Sequence, residues 1–86
     1  MIQKLGIPVS VTLHFDHKTR QVIPTEVLFE GHLHQIVKVG FHHTYRVGRT
    51  LFHVFSVVSE TLFFKLVLNT DTLSWNLEEI ADDETD

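Results

Sequence analysis

Hydrophobic positions are densest between Leu51 and Leu68, where the runs LFHVFSVV and TLFFKLVL flank a polar break at Ser59 and Glu60. Runs this rich in Val, Phe and Leu, bounded by turn residues, predict a β-hairpin. His53 and Lys65 also argue against a membrane span, which needs about 18 apolar residues with few or no charges. Upstream, Pro8 to Phe15 alternates, with Val9, Val11, Leu13 and Phe15 on one face and Ser10, Thr12 and His14 on the other. That period of two predicts a half-buried strand. Asp16 to Arg20 turns the chain into a second strand, Gln21 to Glu30, which sets Val27 and Phe29 inward. Pro24 cannot donate a ladder hydrogen bond and belongs near a strand start, an edge or a bulge.

Glu30-Gly31-His32 predicts a tight reversal, because glycine takes positive φ without strain. The third strand, Leu33 to Phe41, changes phase: His34 and Ile36 have one parity, Val37, Val39 and Phe41 the other. A bulge near Ile36-Val37 would reconcile the two sets. The one long connection is expected at His42 to Thr50, before the Leu51 to Leu68 hairpin. A turn at Asn69-Thr70-Asp71 leads to a last strand with Leu73, Trp75 and Leu77 inward. No segment has a convincing helical period; at most Leu77 to Ala81 makes a terminal turn. The expected fold is all-β, a small antiparallel six-stranded meander rolled into a partly open SH3-like barrel.

Eighty-six residues leave room for one domain and one core. A chain of this size buries a modest share of its surface and often needs a disulfide, a metal or a partner subunit for stability. With no cysteine, disulfides and thiolate-held zinc are excluded. The amino end MIQKLGIPVS has no secretion-signal pattern, and the expected setting is cytoplasmic, with no membrane association. The net charge of −4 is uneven: six of the eleven acids fall in the last nine residues, whereas seven cations and five acids leave residues 1–77 at +2. This predicts a single β domain over residues 1–80 and an acidic, flexible tail over residues 81–86.

The order of these features resembles a small bacterial β-domain family of unknown function. Its pattern is an opening strand with a leading proline, P-x-x-apolar-x-aromatic-x-G, a basic or aromatic strand, a variable loop, a Y-R-V-like strand and a closing W-x-L. The matching residues are Pro8, then Pro24, Val27, Phe29 and Gly31, then Ile36 and Val39, then Trp75 and Leu77, spanning Pro8 to Ile80. The chain departs from the pattern with Phe29 in place of Trp and with His32-Leu33-His34 in place of Arg or Tyr. The resemblance implies a small β-domain and carries over no catalytic residue.

Candidate chemistry is thin. Seven histidines are present, and His32-x-His34 puts two imidazoles on one side of a strand, where a third from a neighbour would complete an open metal site. The acid-free segment from His42 to Thr50 combines His42, His43, Tyr45, Arg46 and Arg49, with cations for phosphates and a ring for base stacking. An overall acidic chain disfavours dedicated nucleic-acid binding. No G-x-S-x-G, glycine-rich phosphate loop or H-E-x-x-H occurs, so neither an enzyme nor a cofactor is expected. The hairpin has an apolar surplus: if Leu62, Phe64, Leu66 and Leu68 fill the core, Phe63 and Val67 point outward, as do Phe52 and Val54 beside them. The leading expectation is therefore a non-enzymatic interaction module, a homodimer or the binder of a protein partner, joined through Phe63, Val67, Phe52 and Val54. A nucleic-acid accessory domain and a histidine-based metal binder stand second and third.

Overall fold

The computed structural model describes residues 1–82. It contains seven strands: β1 (Ile2–Asp16), β2 (Gln21–Phe29), β3 (His32–Gln35), β4 (Lys38–Val47), β5 (Thr50–Val58), β6 (Leu62–Asn69) and β7 (Ser74–Asp82). All pair antiparallel in one sheet of order β3-β2-β1-β7-β6-β5-β4. Among the described residues no helix is long and apolar enough to cross a membrane.

β1 holds the sheet together. Its first half, Ile2 to Val9, pairs with β7 and its second half, Ser10 to Asp16, with β2. The register slips between Lys4 and Ile7, where Gly6 takes φ of 65°, a bulge conformation that a Cβ would strain. The turns follow local chemistry. Glu30 and Gly31 both have positive φ between paired Phe29 and His32, the two-residue primed turn that suits the right-handed twist of a hairpin. The β1–β2 and β6–β7 turns share one construction. Each opens on a residue whose side-chain oxygen accepts a backbone N–H two positions on, Asp16 from Lys18 and Asn69 from Asp71. Each closes on a positive-φ residue, Arg20 or Leu73, whose N–H bonds back to the opening carbonyl at 2.7 Å.

The expectation of six strands in a barrel is corrected to seven strands in a sheet that does not close. The phase change at Ile36-Val37 is not a bulge within one strand. It is the point where the chain leaves one sheet edge for the other: the Ile36 N–H bonds to the Thr25 carbonyl of β2, and the Val37 N–H to the Val58 carbonyl of β5. β3 and β4 are therefore consecutive in the chain, lie at opposite edges and do not pair with each other. The segment expected as a long loop, His42 to Thr50, is most of β4 plus a two-residue turn, with Val47 opposite Thr50 and Gly48 at φ 61°.

The core lies inside the curl. Val27, Phe55, Val57, Phe64, Leu66, Trp75 and Leu77 form the buried cluster, and Leu5, Val9, Val11, Phe29 and Ile36 pack against it. Phe64 joins the two arms, with Phe29 of β2 at 6.4 Å and His34 of β3 at 5.3 Å, both edge-on. The expected division at residue 80 also moves. Ala81 pairs with Ile2 and Phe63, Asp82 pairs with Leu62, and Glu79 reaches Lys65 at 3.5 Å. Two residues of the expected tail are thus strand; residues 83–86, the rest of it, lie outside the described residues.

Candidate functional surfaces

The registers sort the β4–β5–β6 residues into two faces. On the inner face lie His42 opposite Phe55 and Thr44 opposite His53, followed by Leu66 and Leu68 of β6. On the outer face Phe41 opposes Ser56, His43 opposes Val54, Tyr45 opposes Phe52, and Val54 and Val58 oppose Val67 and Phe63. A slip between Val39 and Phe41, at Gly40, sets this phase, so Val39 shares the inner face with His42.

The four residues expected at a self-association surface, Phe52, Val54, Phe63 and Val67, do fall on one face, opposite the core. They are not equally available. Val54 and Val67 are only 2 % and 7 % exposed within a single chain, while Phe52 and Phe63 are half-buried. The open apolar surface lies one strand over, on β4: Phe41 is 59 % exposed, Tyr45 41 % and Val47 63 %. Tyr45 stacks on Phe52 at 4.9 Å and 10°, which joins the edge residues to the rest of the face. Reading the β4 segment as a loop hid this surface.

The nucleic-acid candidates are separated by the same alternation. Tyr45 and His43 share the outer face, His42 and Arg46 the inner one, and Arg49 sits in the terminal turn. The stacking ring is already occupied by Phe52, and the cation next to it in sequence points away from it. The metal candidates fare similarly. His34 packs between Phe29 and Phe64, His32 is exposed, and β2 presents Val27 and Phe29 opposite them. Among the described residues no group of three or more His, Cys, Asp or Glu is placed to hold a metal ion.

A histidine pair that sequence reading did not single out is brought together instead. His42 Nε2 and His53 Nδ1 lie 2.8 Å apart, and the His42 ring stacks on Phe55 at 4.2 Å and 6°. Phe55 in turn meets Trp75 at 5.7 Å. Burial, then the neighbouring His53 and His43, hold the His42 imidazole below its usual pKa, because each disfavours the charged ring. His42, His53, Val39 and Phe55 form one side of a cleft of about 540 Å³; Arg20, Gln21, Val22 and Ile23, from the end of the β1–β2 hairpin, form the other. Comparisons of the chain with protein families, with curated proteins and with solved structures find no match.

Proposed function

We propose that this protein is a non-enzymatic interaction module that works as a two-fold dimer, with β4 of one copy pairing antiparallel with β4 of a second. The observation that carries this reading is the character of the edge. β4 is ten residues long, has no proline, carries Phe41, Tyr45 and Val47 exposed on one face, and among the described residues has one neighbour in the sheet, β5. Soluble proteins usually shorten, charge or cover such an edge, because its unpaired N–H and C=O groups template pairing with another chain. The opposite edge, β3, is only four residues long and offers little to pair with.

A second copy is the occupant best matched to the strand. Facing residues of an antiparallel pair share a sheet face, so a two-fold centred on His43 sets Phe41 of each copy opposite Tyr45 of the other and places no like charges of Lys38 and Arg46 face to face. The pairing also adds apolar burial that so small a domain lacks.

Sedimentation equilibrium over roughly 5 to 500 μM tests the proposal, a range that brackets micromolar association. The expected result is a mass of two chains at the upper end, and a single chain for Phe41→Lys or Tyr45→Lys with circular dichroism unchanged. Phe63→Glu, two strands from the edge, should leave most of the dimer intact. A wild-type chain that stays monomeric throughout refutes the proposal, and loss of the dimer in Phe63→Glu alone moves the contact to β6.

A further inference from the structure

The inner cleft lies on the face of β4 opposite Phe41 and Tyr45 and has its own chemistry. Its volume, about 540 Å³, falls within the range of small-molecule pockets. Val22, Ile23, Val39 and Phe55 supply apolar wall, and the ionisable groups along it are Arg20, His42 and His53. No acidic residue is among the described residues that line it. A site with apolar walls and only cationic or neutral polar groups selects for a ligand with an apolar body and a negative charge.

Hydrogen-bond accounting sharpens the assignment. A neutral imidazole has one N–H donor and one bare nitrogen acceptor. With His42 Nε2 and His53 Nδ1 bonded at 2.8 Å, one nitrogen donates and the other accepts, so of the two remaining nitrogens, His42 Nδ1 and His53 Nε2, one carries a proton and one does not. Adding one proton to the pair keeps the internal bond and turns both remaining nitrogens into donors. The singly protonated pair is then a two-donor cation, and with the five N–H donors of Arg20 it complements a carboxylate or sulfonate.

We propose that the cleft between the β1–β2 hairpin end and the inner face of β4–β5 binds a small organic monoanion, its acid group held by His42, His53 and Arg20 and its apolar body by Val22, Ile23, Val39 and Phe55. Binding takes up a proton on His42, whose bond to His53 is kept. The charged and titratable groups around His42 are His53 on β5, Arg20 across the cleft, and His43, the next residue of β4, which points to the outer face. Burial, then His53 and His43, favour the neutral His42 ring in the empty cleft, and the anion reverses the balance. Affinity therefore rises as pH falls through the histidine range.

Hexane-1-sulfonate, whose charge does not titrate near neutrality, is the probe, with 1-hexanol as its uncharged match. Binding is read from the Cε1–H resonances of His42 and His53 and from the fluorescence of Trp75, the sole tryptophan, which touches Phe55. The expected result is saturable binding of the sulfonate, several-fold tighter at about pH 6 than at about pH 8, and much weaker binding of the alcohol. Arg20→Gln, in an exposed turn, should weaken the sulfonate on the order of tenfold with the melting temperature unchanged, and His42→Gln should also flatten the pH dependence. No saturation at tens of millimolar overturns the proposal, as does equal binding of the alcohol, or perturbation centred on His43 and Tyr45 instead of the cleft.

Discussion

Phe63 and Phe64 are neighbours in sequence and, on the alternation of β6, occupy opposite faces, so replacing each by alanine tests the layout of the molecule. Phe64 is fully buried, belongs to the core cluster and meets Phe29 and His34 edge-on, which ties β2 and β3 to the larger part of the sheet. Truncating such a ring removes apolar burial and leaves a cavity, at a cost of about 3–5 kcal/mol. An 86-residue domain has a total stability of roughly 4–13 kcal/mol at typical per-residue values, so Phe64→Ala should be close to unfolding. Phe63 is half-buried on the outer face opposite Val58, and its truncation should cost about 1 kcal/mol. At about 4–8 °C per kcal/mol for a domain of this size, the two variants should melt about 8 °C or more apart. Thermal unfolding by circular dichroism at low protein concentration, where dimer formation does not contribute, makes the comparison. Equal losses, or a larger loss for Phe63→Ala, would refute the face assignment.

Further expectations follow from single features. His42 has its folded pKa held below the unfolded value of about 6.5, so the unfolded chain binds more protons between the two; this residue's contribution to stability is complete above about pH 6.5 and is lost as pH falls through the folded pKa. The urea midpoint should accordingly fall between about pH 8 and pH 5, and His42→Asn should show a shallower fall; an equal slope would contradict the assignment. Gly48→Ala, at φ 61°, should cost on the order of 1 kcal/mol, and Gly40→Ala, whose added Cβ would meet the Ser56 carbonyl at an ordinary 3.5 Å, should cost less; the reverse order in a melt would discredit the turn. Zinc in hundredfold excess should leave the melting temperature unmoved, whereas a shift lost in His34→Ala but kept in His17→Ala would place a metal at β3. An oligonucleotide should show no saturable binding at low salt; saturable, salt-sensitive binding that Arg46→Ala with Arg49→Ala abolishes would restore the nucleic-acid reading.

The strands that could be read from sequence were those with one face in the core. β5 and β6 were legible because their runs of Val, Phe and Leu are dense in β-forming residues and bounded by the polar break at Ser59 and Glu60, and β7 because Trp75 and Leu77 recur at period two. β4 was not, for a physical reason. An edge strand with little burial is under no pressure to alternate apolar with polar, and His42-His43-Thr44-Tyr45-Arg46 has no such pattern. Gly40 breaks it further by shifting the phase. The signal that was present is the turn: Val47-Gly48-Arg49-Thr50, with glycine at the first central position between β-forming residues, is a two-residue hairpin connection. Counting outward from that turn puts His42 opposite Phe55 and Thr44 opposite His53, so the histidine pair becomes a diagonal neighbour on one face. The site was hidden by a missed turn, not by missing residues.

Both proposed surfaces trace to the same two residues. A bulge at Ile36-Val37 would have kept one continuous strand on one edge, as expected for a meander closing on itself. Instead Ile36 bonds to β2 and Val37 to β5, and the backbone spends its hydrogen bonds in opposite directions across a single peptide link. β3 therefore stops after four residues and pairs only with Glu26 to Phe29, leaving the first part of β2, Gln21 to Pro24, without a partner on that side among the described residues. β4 starts at the far edge, with its inner face toward that same part of β2. The cleft is the space the unclosed curl leaves between them, and the free side of β4 is the edge that closure would have consumed. A substitution that lengthened β3 pairing along β2 would narrow the cleft, and would leave the outer-face contacts of Phe41 and Tyr45 in place. Anion binding and self-association should accordingly be separable by mutation even though one crossover creates both.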